Sequence, residues 1–389
     1  MKLKNYPYRL HTRRVISKFL NTKDAVDYLK ERGICVHAFR KDDLAKIGAD
    51  FYYSMDDFIK LKEKIDSPES YKNSSRINIP HEQLSELKEA LISLSMQKIE
   101  DDEDTKVHVL SNPDGTWKFE IEYTEFKPSL IDLLDTTHRK IEVNVNDNPD
   151  SSSLDFNIIN NHDYKKVNEV LAYVHKSSPE IEFNFSEISL SSLTKEKRIQ
   201  LFNDFFQFDH ASWELKKIMK LKVKRDKKQQ EESALTKDQL EGINSAILDG
   251  QNLIKNSFVK STIENSFYFS MATMRFDNVD TADFIDIVID FKTRPERCET
   301  KITASGIYEE GANGPIETKL VLDALTQDSI LFQFKNTLYQ IFVELSQQET
   351  HEIEIAEDQI NFLEDTATEK QVSAGLEEQD ESKSTDESV

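Results

Sequence analysis

The run from Ile285 to Phe291 leaves the backbone few choices. Ile285, Ile287, Ile289 and Phe291 recur at every second position, with Asp286 and Asp290 between them. Side chains at i and i+2 share a face in an extended strand. Phe267-Tyr268-Phe269, Ile302 to Tyr308 and Leu320-Val321-Leu322 read as three further strands around it. The chain then enters a helix on which Leu331, Phe334, Leu338, Ile341, Phe342 and Leu345 recur at steps of three and four. That spacing makes an apolar stripe, and the neighbouring sheet is the most economical surface for it to cover. Such a scaffold names no reaction.

The same order of elements occurs earlier. Val107 and Val109, then Trp117, Phe119, Ile121 and Tyr123, then Ile141, Val143 and Val145, then Leu154, Phe156 and Ile158 read as four strands, with Asn112-Pro113-Asp114-Gly115 as a hairpin turn. A helix on Tyr164, Val167, Val170, Leu171 and Val174 follows them. The links are too short for helical crossovers, so residues 105–175 and 266–346 are expected to be two antiparallel-sheet units, each closed by a C-terminal helix. The fold class is α+β.

Around these units the chain divides into four parts. Residues 1–66 read as a small helical unit, with a basic helix over 5–21, a helix capped by Thr22 and stopped by Gly33, another near Asp43 to Ile47, and one from Ser54 through Phe58, Leu61 and Ile65. A polar stretch with Pro68 and Pro80 reads as a linker. Residues 80–180 form the first α+β unit, opened by a helix on Leu84, Leu87, Leu91 and Leu94 that the acidic run Glu100 to Asp104 closes off. Residues 181–346 form the second. It starts with a strand on Ile181, Phe183 and Phe185 and a helix on Ile199, Phe202, Phe205 and Phe206, and later includes a helix begun near Thr236 and interrupted at Gly250. Residues 347–389 are an acidic tail, expected to be largely disordered.

Charge is unevenly placed. The net charge is −22, and residues 349–389 carry fourteen acids against Lys370 and Lys383, whereas residues 1–48 carry twelve bases against five acids. The sharpest basic feature is Lys216 to Lys228, with eight bases and one acid, where Met219, Leu221 and Val223 alternate with Lys220, Lys222 and Lys224. A strand there has one apolar face and one row of ammonium groups. Such a row suits phosphate contact, and equally suits a solvated sheet edge.

In the first part, Leu29-Lys30-Glu31-Arg32-Gly33-Ile34, an extended link and Arg40-Lys41-Asp42-Asp43-Leu44-Ala45-Lys46-Ile47 resemble the helix, extended loop and helix of SAP-type DNA-binding modules. The resemblance covers residues 22–48. It implies DNA contact through Arg40, Lys41 and the preceding basic helix, and it departs from the usual pattern at Ala38-Phe39-Arg40.

Other chemistry is thinly represented. With nine glycines there is no glycine-rich phosphate loop, the nine histidines form no metal-binding pattern, and Cys35 and Cys298 are too few for a disulfide framework. No nucleophile signature occurs, and Asp209-His210 reads as a surface pair rather than a catalytic one. No leader and no membrane-spanning run are visible, so a soluble cytoplasmic protein is expected. Asp290-Phe291-Lys292 and Glu125-Phe126-Lys127 have the acid-x-lysine form of metal-dependent nucleases. Asp286 lies roughly 13 Å from Asp290 by strand rise, so a second acid would have to come from another strand. The expectation is therefore a binding protein without cofactor or metal, contacting nucleic-acid backbone through Arg9, Arg13, Arg14, Lys18, Arg40, Lys41, Lys220, Lys222, Lys224 and Arg225, as part of a larger assembly. A protein adaptor is the first alternative and a nuclease the second.

Overall fold

A computed structural model describes residues 9–18, 20–36, 40–51, 53–54, 56–57, 59–61, 71–96, 104–113, 115–126, 136–149, 151–225, 243–250, 262, 267–311 and 314–348. Residues 349–389 of the acidic tail, the first part of the helix expected from Thr236, and Asp226 to Lys228 of the basic stretch lie outside these. The chain forms two compact units. One comprises residues 1–69, 85–145 and 162–182, the other 70–84, 146–161 and 183–389.

In the first unit, helices α1 (Arg9–Lys18), α2 (Thr22–Glu31) and α3 (Lys41–Ala49) bury Val15, Ile16, Tyr28, Leu29 and Leu44 together. The cap of α2 is Asn21, one residue before the expected Thr22, because its side chain accepts from the Asp24 amide at 2.8 Å. Gly33 ends that helix at φ +75°, a conformation only glycine adopts without strain. Ser54 caps the helical turn at 56–57, its hydroxyl accepting from the Asp57 amide at 3.2 Å while the Asp57 carboxylate accepts from the Ser54 amide at 2.9 Å. Phe58 and Ile65 of that helix lie outside the described residues. Helix α4 (Leu84–Ser95) buries Leu84, Leu87, Leu91 and Leu94, as their spacing requires. Strands β2 (Lys106–Ser111), β3 (Trp117–Phe126) and β4 (Thr136–Asn146) form an antiparallel meander, joined to α5 (Asn161–Ser177) where the Tyr123 hydroxyl donates to Asp163 at 2.5 Å.

The second unit is built on a sheet ordered β5–β1–β10–β9–β8–β6–β7. Its strands are β1 (Asn73–Asn78), β5 (Ser153–Asn157), β6 (Trp213–Arg225), β7 (Ser245–Asp249), β8 (Phe267–Asn278), β9 (Asp283–Thr293), β10 (Glu296–Gly311) and β11 (Gly314–Lys319). β10 has β9 along one edge; along the other it pairs first with β1 and then with β11. All these pairs are antiparallel, and α6 (Lys195–Gln207) and α7 (Ala324–Gln347) pack on one face. Ile285, Ile287, Ile289 and Phe291 enter that core against Phe334, Leu338 and Ile341, as alternation and helical spacing demand.

Five local expectations are corrected. The polar stretch expected to be a linker contains β1, whose Ser74, Ser75, Arg76 and Asn78 are buried and hydrogen-bonded rather than exposed. Residues 181–185 form no strand, only a single bridge from Ser186 to Asn78. Ser245–Asp249 is a strand rather than the end of a helix, since it pairs with Lys220 to Lys224 and turns Ala246 and Leu248 toward the core. The last strand of the second set lies at 314–319, before Leu320 and Val321, which are half exposed. His210 is also no surface residue: it is 2% exposed, stacked on Phe334 at 4.7 Å. No helix among the described residues is long and apolar enough to cross a membrane.

Candidate anion-binding site

The ten basic residues singled out in the sequence fall into separate units. Arg9, Arg13, Arg14, Lys18, Arg40 and Lys41 belong to the first, on α1 and at the start of α3. Arg13, Lys18 and Arg40 are exposed, Arg14 and Lys41 half-buried, and Arg9 is paired with Asp50. Acids are interleaved with them: Lys46 lies 3.6 Å from Asp43.

Lys220, Lys222, Lys224 and Arg225 lie on β6 in the second unit, and their surroundings differ. The strand carries a bulge between Ile218 and Lys220, so Ile218, Leu221 and Val223 reach the core and Met219 does not. Lys220 is held by Asp249 at 2.8 Å and Lys216 by Asp277 at 3.5 Å, while the Arg225 guanidinium lies over Phe267 at 4.9 Å. Lys222 and Lys224 are half-buried, and among the described residues neither forms an ion pair.

Lys224 lines a concavity of about 150 Å³ together with Leu190, Ser191, Arg198, Tyr268, Phe291, Lys292, Thr293 and Glu296. Each wall is fixed from elsewhere. Thr194 caps α6, accepting from the Lys197 amide at 3.4 Å, and one turn on, the Arg198 Nε donates to the carbonyls of Leu190 at 2.7 Å and Leu193 at 3.0 Å. The guanidinium is thereby held 4.6 Å over the Tyr268 ring, and Tyr268 is the cross-strand neighbour of Lys224. Glu296, at the start of β10, accepts from the Ser189 hydroxyl and the Ser191 amide; despite burial, these bonds and the charge of Arg198 keep its carboxyl below the usual range.

Lys292 donates to Asp290 at 2.5 Å and lies 3.7 Å from Glu299. Burial opposes its charge, but the two carboxylates hold its pKa above the ordinary lysine value. Lys224 is the reverse case. Burial lowers its pKa, the cations Lys222 and Lys292 lower it further, and Asp290 only partly offsets them.

Register also supplies what the nuclease pattern lacked. Glu299 on β10 stands directly opposite Asp290 on β9. Both carboxylates are already engaged, Asp290 by Lys292, and Glu299 by the Arg297 Nε at 2.7 Å and the Asn73 side chain at 3.2 Å. Among the described residues no group of three potential metal ligands converges. Asp286 is bound by Arg275 through two bonds of 2.7 and 3.0 Å, and Glu125 lies 3.5 Å from Arg139, while Lys127 is outside the described residues.

Sequence reasoning found Lys222, Lys224 and the Asp290–Lys292 pair but not Arg198, Ser191, Tyr268 or Glu296. Those four come from α6, the turn before it, β8 and β10, and no local spacing marks them. What the fold and this concavity define is an α+β chain with a cluster of cationic side chains at a concavity in its second unit. No protein-family model matches the chain, and neither a curated protein nor a solved structure matches it.

Proposed function

We propose that the protein binds the phosphate backbone of nucleic acid through the cationic side chains gathered on the second unit, with Lys222 and Lys224 as principal contacts and Arg198 and Lys292 beside them. One observation carries this reading. Lys224 lines a concavity with two further cations and, among the described residues, has no ion pair. A half-buried ammonium group so placed is stabilised by an incoming anion, and each phosphate it neutralises releases counterions. Arg13, Lys18 and Arg40 on the first unit are a further, separate set of contacts in the same proposal.

The test is retention of a DNA duplex at low salt by the full chain. Lys222→Glu with Lys224→Glu should abolish most of the retention. Lys220→Glu should change it little, because Asp249 already neutralises that residue. Each phosphate contact contributes about 0.9 to the slope of log K against log salt, so losing two contacts should flatten it by roughly 2. Undetectable binding at low salt, or equal binding by the double variant, would refute the reading.

A protein-binding role is the second reading. Ile316, Leu320, Val321 and Leu325 are 57%, 49%, 57% and 81% exposed along β11 and the start of α7. Exposed apolar side chains that form one contiguous patch mark a contact surface. Leu325→Glu with Val321→Glu should then release any copurifying protein while leaving nucleic-acid retention intact.

A further inference from the structure

The described chain leaves the second unit at a fixed point. Lys197, buried on the first turn of α6, donates from Nζ to the Gln348 carbonyl at 2.7 Å, and the Gln348 amide closes α7 onto the Glu344 carbonyl at 3.2 Å. Arg198, the next residue, lines the same concavity as Lys224. A lysine side chain, an arginine side chain and one small concavity therefore separate this exit from the lysine row of β6. The ten residues that follow, 349–358, reach roughly 33 Å at full extension, which is longer than that path. They include Glu349, Glu352, Glu354, Glu357 and Asp358, with neither lysine nor arginine. Only part of the row is open to them. Lys220 is held by Asp249 at 2.8 Å, and Lys292 by Asp290 and Glu299. Lys222 stands between Met271 on β8 and Ile247 on β7, and Lys224 between Tyr268 and Ser245. No carboxylate stands directly opposite either one, and among the described residues neither forms an ion pair.

We propose that the acidic segment 349–358 of the same chain docks across Lys222 and Lys224 and competes there with nucleic acid. The competition rests on the backbone-binding reading above, whereas the docking stands without it. Tethering selects this occupant. A segment anchored at Lys197 meets Lys222 and Lys224 at an effective concentration on the order of millimolar. A second copy of the chain has no such advantage, and two bodies of net charge −22 repel each other. Charge complementarity points the same way, since five carboxylates bring counter-charge to two half-buried ammonium groups that have none. Burial and two cationic neighbours weigh against the charged form of Lys224, and an incoming carboxylate relieves both effects. The contact is also displaceable. Five carboxylates over roughly 33 Å amount to about one charge per 7 Å, against about one per 1.7 Å along a DNA duplex. A duplex therefore prevails at the row, while sparse polyanions are kept off it.

The experiment treats a mixture of isotopically light and heavy full chains, without nucleic acid, with a water-soluble carbodiimide at low salt, and maps the zero-length cross-links by mass spectrometry. Lys222 or Lys224 should be joined to a carboxylate of 349–358 within one chain, and the yield should fall by about threefold or more at roughly 0.5 M salt. Absence of those links, or links only between a light and a heavy chain, overturns the inference whatever the protein does with DNA. A second arm measures duplex affinity of the full chain by fluorescence anisotropy. Glu349→Gln, Glu352→Gln, Glu354→Gln, Glu357→Gln and Asp358→Asn together should tighten binding by about fivefold at low salt, with the gain shrinking as salt rises. Glu377→Gln, Glu378→Gln, Asp380→Asn, Glu381→Gln and Asp386→Asn change the net charge equally and should tighten it by less than about twofold. Equal gains from the two sets reduce the effect to net charge and overturn the competition. If the cross-links form but no form of the chain retains the duplex, the docking stands and the backbone-binding reading falls.

Discussion

Asp155 is one carboxylate serving two buried cations, and its loss should be far more damaging than the loss of the lysine beside it. Arg76 reaches it with Nε and Nη2, each at 2.8 Å, Lys335 Nζ lies 2.7 Å away, and the Asn146 side chain donates at 2.6 Å. Asp155, Arg76 and Lys335 are all less than one-tenth exposed. Asp155→Ala leaves two cations buried without a counter-charge, and breaking such a pair from one side costs about 3–5 kcal/mol. Lys335→Met works in the opposite sense. Burial, reinforced by Arg76, draws the Lys335 pKa down from 10.5 to about 8 even with Asp155 beside it. At about 1.4 kcal/mol per unit, its charged form is disfavoured on folding by about 3 kcal/mol. Replacing it by Met removes that penalty, loses the 2.8 Å bond to Ser74, and leaves Arg76 with its carboxylate. The expected result at pH 7 is neutral to stabilising, by up to about 3 kcal/mol. The pH dependence has a definite sign. Between pH 8 and 10.5 the unfolded chain holds the Lys335 proton and the folded chain has released it, so stability rises across that window in the native protein and not in Lys335→Met. Asp155, whose pKa is lowered in the fold by Lys335 and Arg76 against its burial, contributes above its ordinary 3.8 and stops contributing as pH falls through its lowered value. Urea unfolding, followed by amide exchange of β1, β10 and α7 at pH 5, 7 and 9, measures both variants. If Lys335→Met destabilises as much as Asp155→Ala, the account of the cluster is wrong.

Phe334, fully buried and in ring contact with Phe205, Phe276 and His210, should cost about 3–5 kcal/mol as Ala, read as a fall in urea midpoint without change of slope. A Cβ at Gly306 would stand against the Thr318 carbonyl oxygen and 2.7 Å from the Phe284 ring, so Gly306→Ala should cost about 1–3 kcal/mol and speed amide exchange in β11. Burial lowers the His210 pKa against the opposing effects of the Phe205 carbonyl and Asp209, so its imidazole should titrate below an ordinary histidine in an NMR titration. Because the unfolded chain takes up that proton near 6.5, stability should fall as pH drops through 6.5, and less so in His210→Phe. Tyr123→Phe removes a buried bond to Asp163 and should cost about 1–3 kcal/mol, seen as a lower thermal midpoint.

Periodicity reported β9 and α7 faithfully because each buries one face against a single partner layer, so the apolar spacing is the packing requirement itself. β1 escaped notice for the opposite reason. Its interior residues are Ser74, Ser75 and Arg76, satisfied by Phe156, Cys298 and Asp155 from distant parts of the chain, and nothing local announces those partners. β7 is five residues long at the end of the sheet order with Ile247 60% exposed, too short and too one-sided to outweigh a helical start at Thr236. At the candidate site the lysine row and the Asp290–Lys292 pair were visible as local patterns. The concavity was not, because Arg198, Lys224, Lys292 and Glu296 come from four elements and meet only through sheet register and the packing of α6. Register likewise decided which acid faces Asp290, a question that spacing along one strand cannot answer.

The polar character of β1 bears on how the protein is made. Its Asn73 side chain bonds to Glu299, 226 residues later in the chain. At about 5–20 residues per second, a nascent chain emerging from the ribosome waits roughly 10–45 s between the two. Through that interval an apolar central strand would be an open template for pairing with other chains. Asn73-Ser74-Ser75-Arg76-Ile77-Asn78 is instead readily hydrated until β10 arrives. The strand gives up intrinsic sheet-forming strength and gains safe passage through synthesis, and the second unit closes only when nearly the whole chain has been translated.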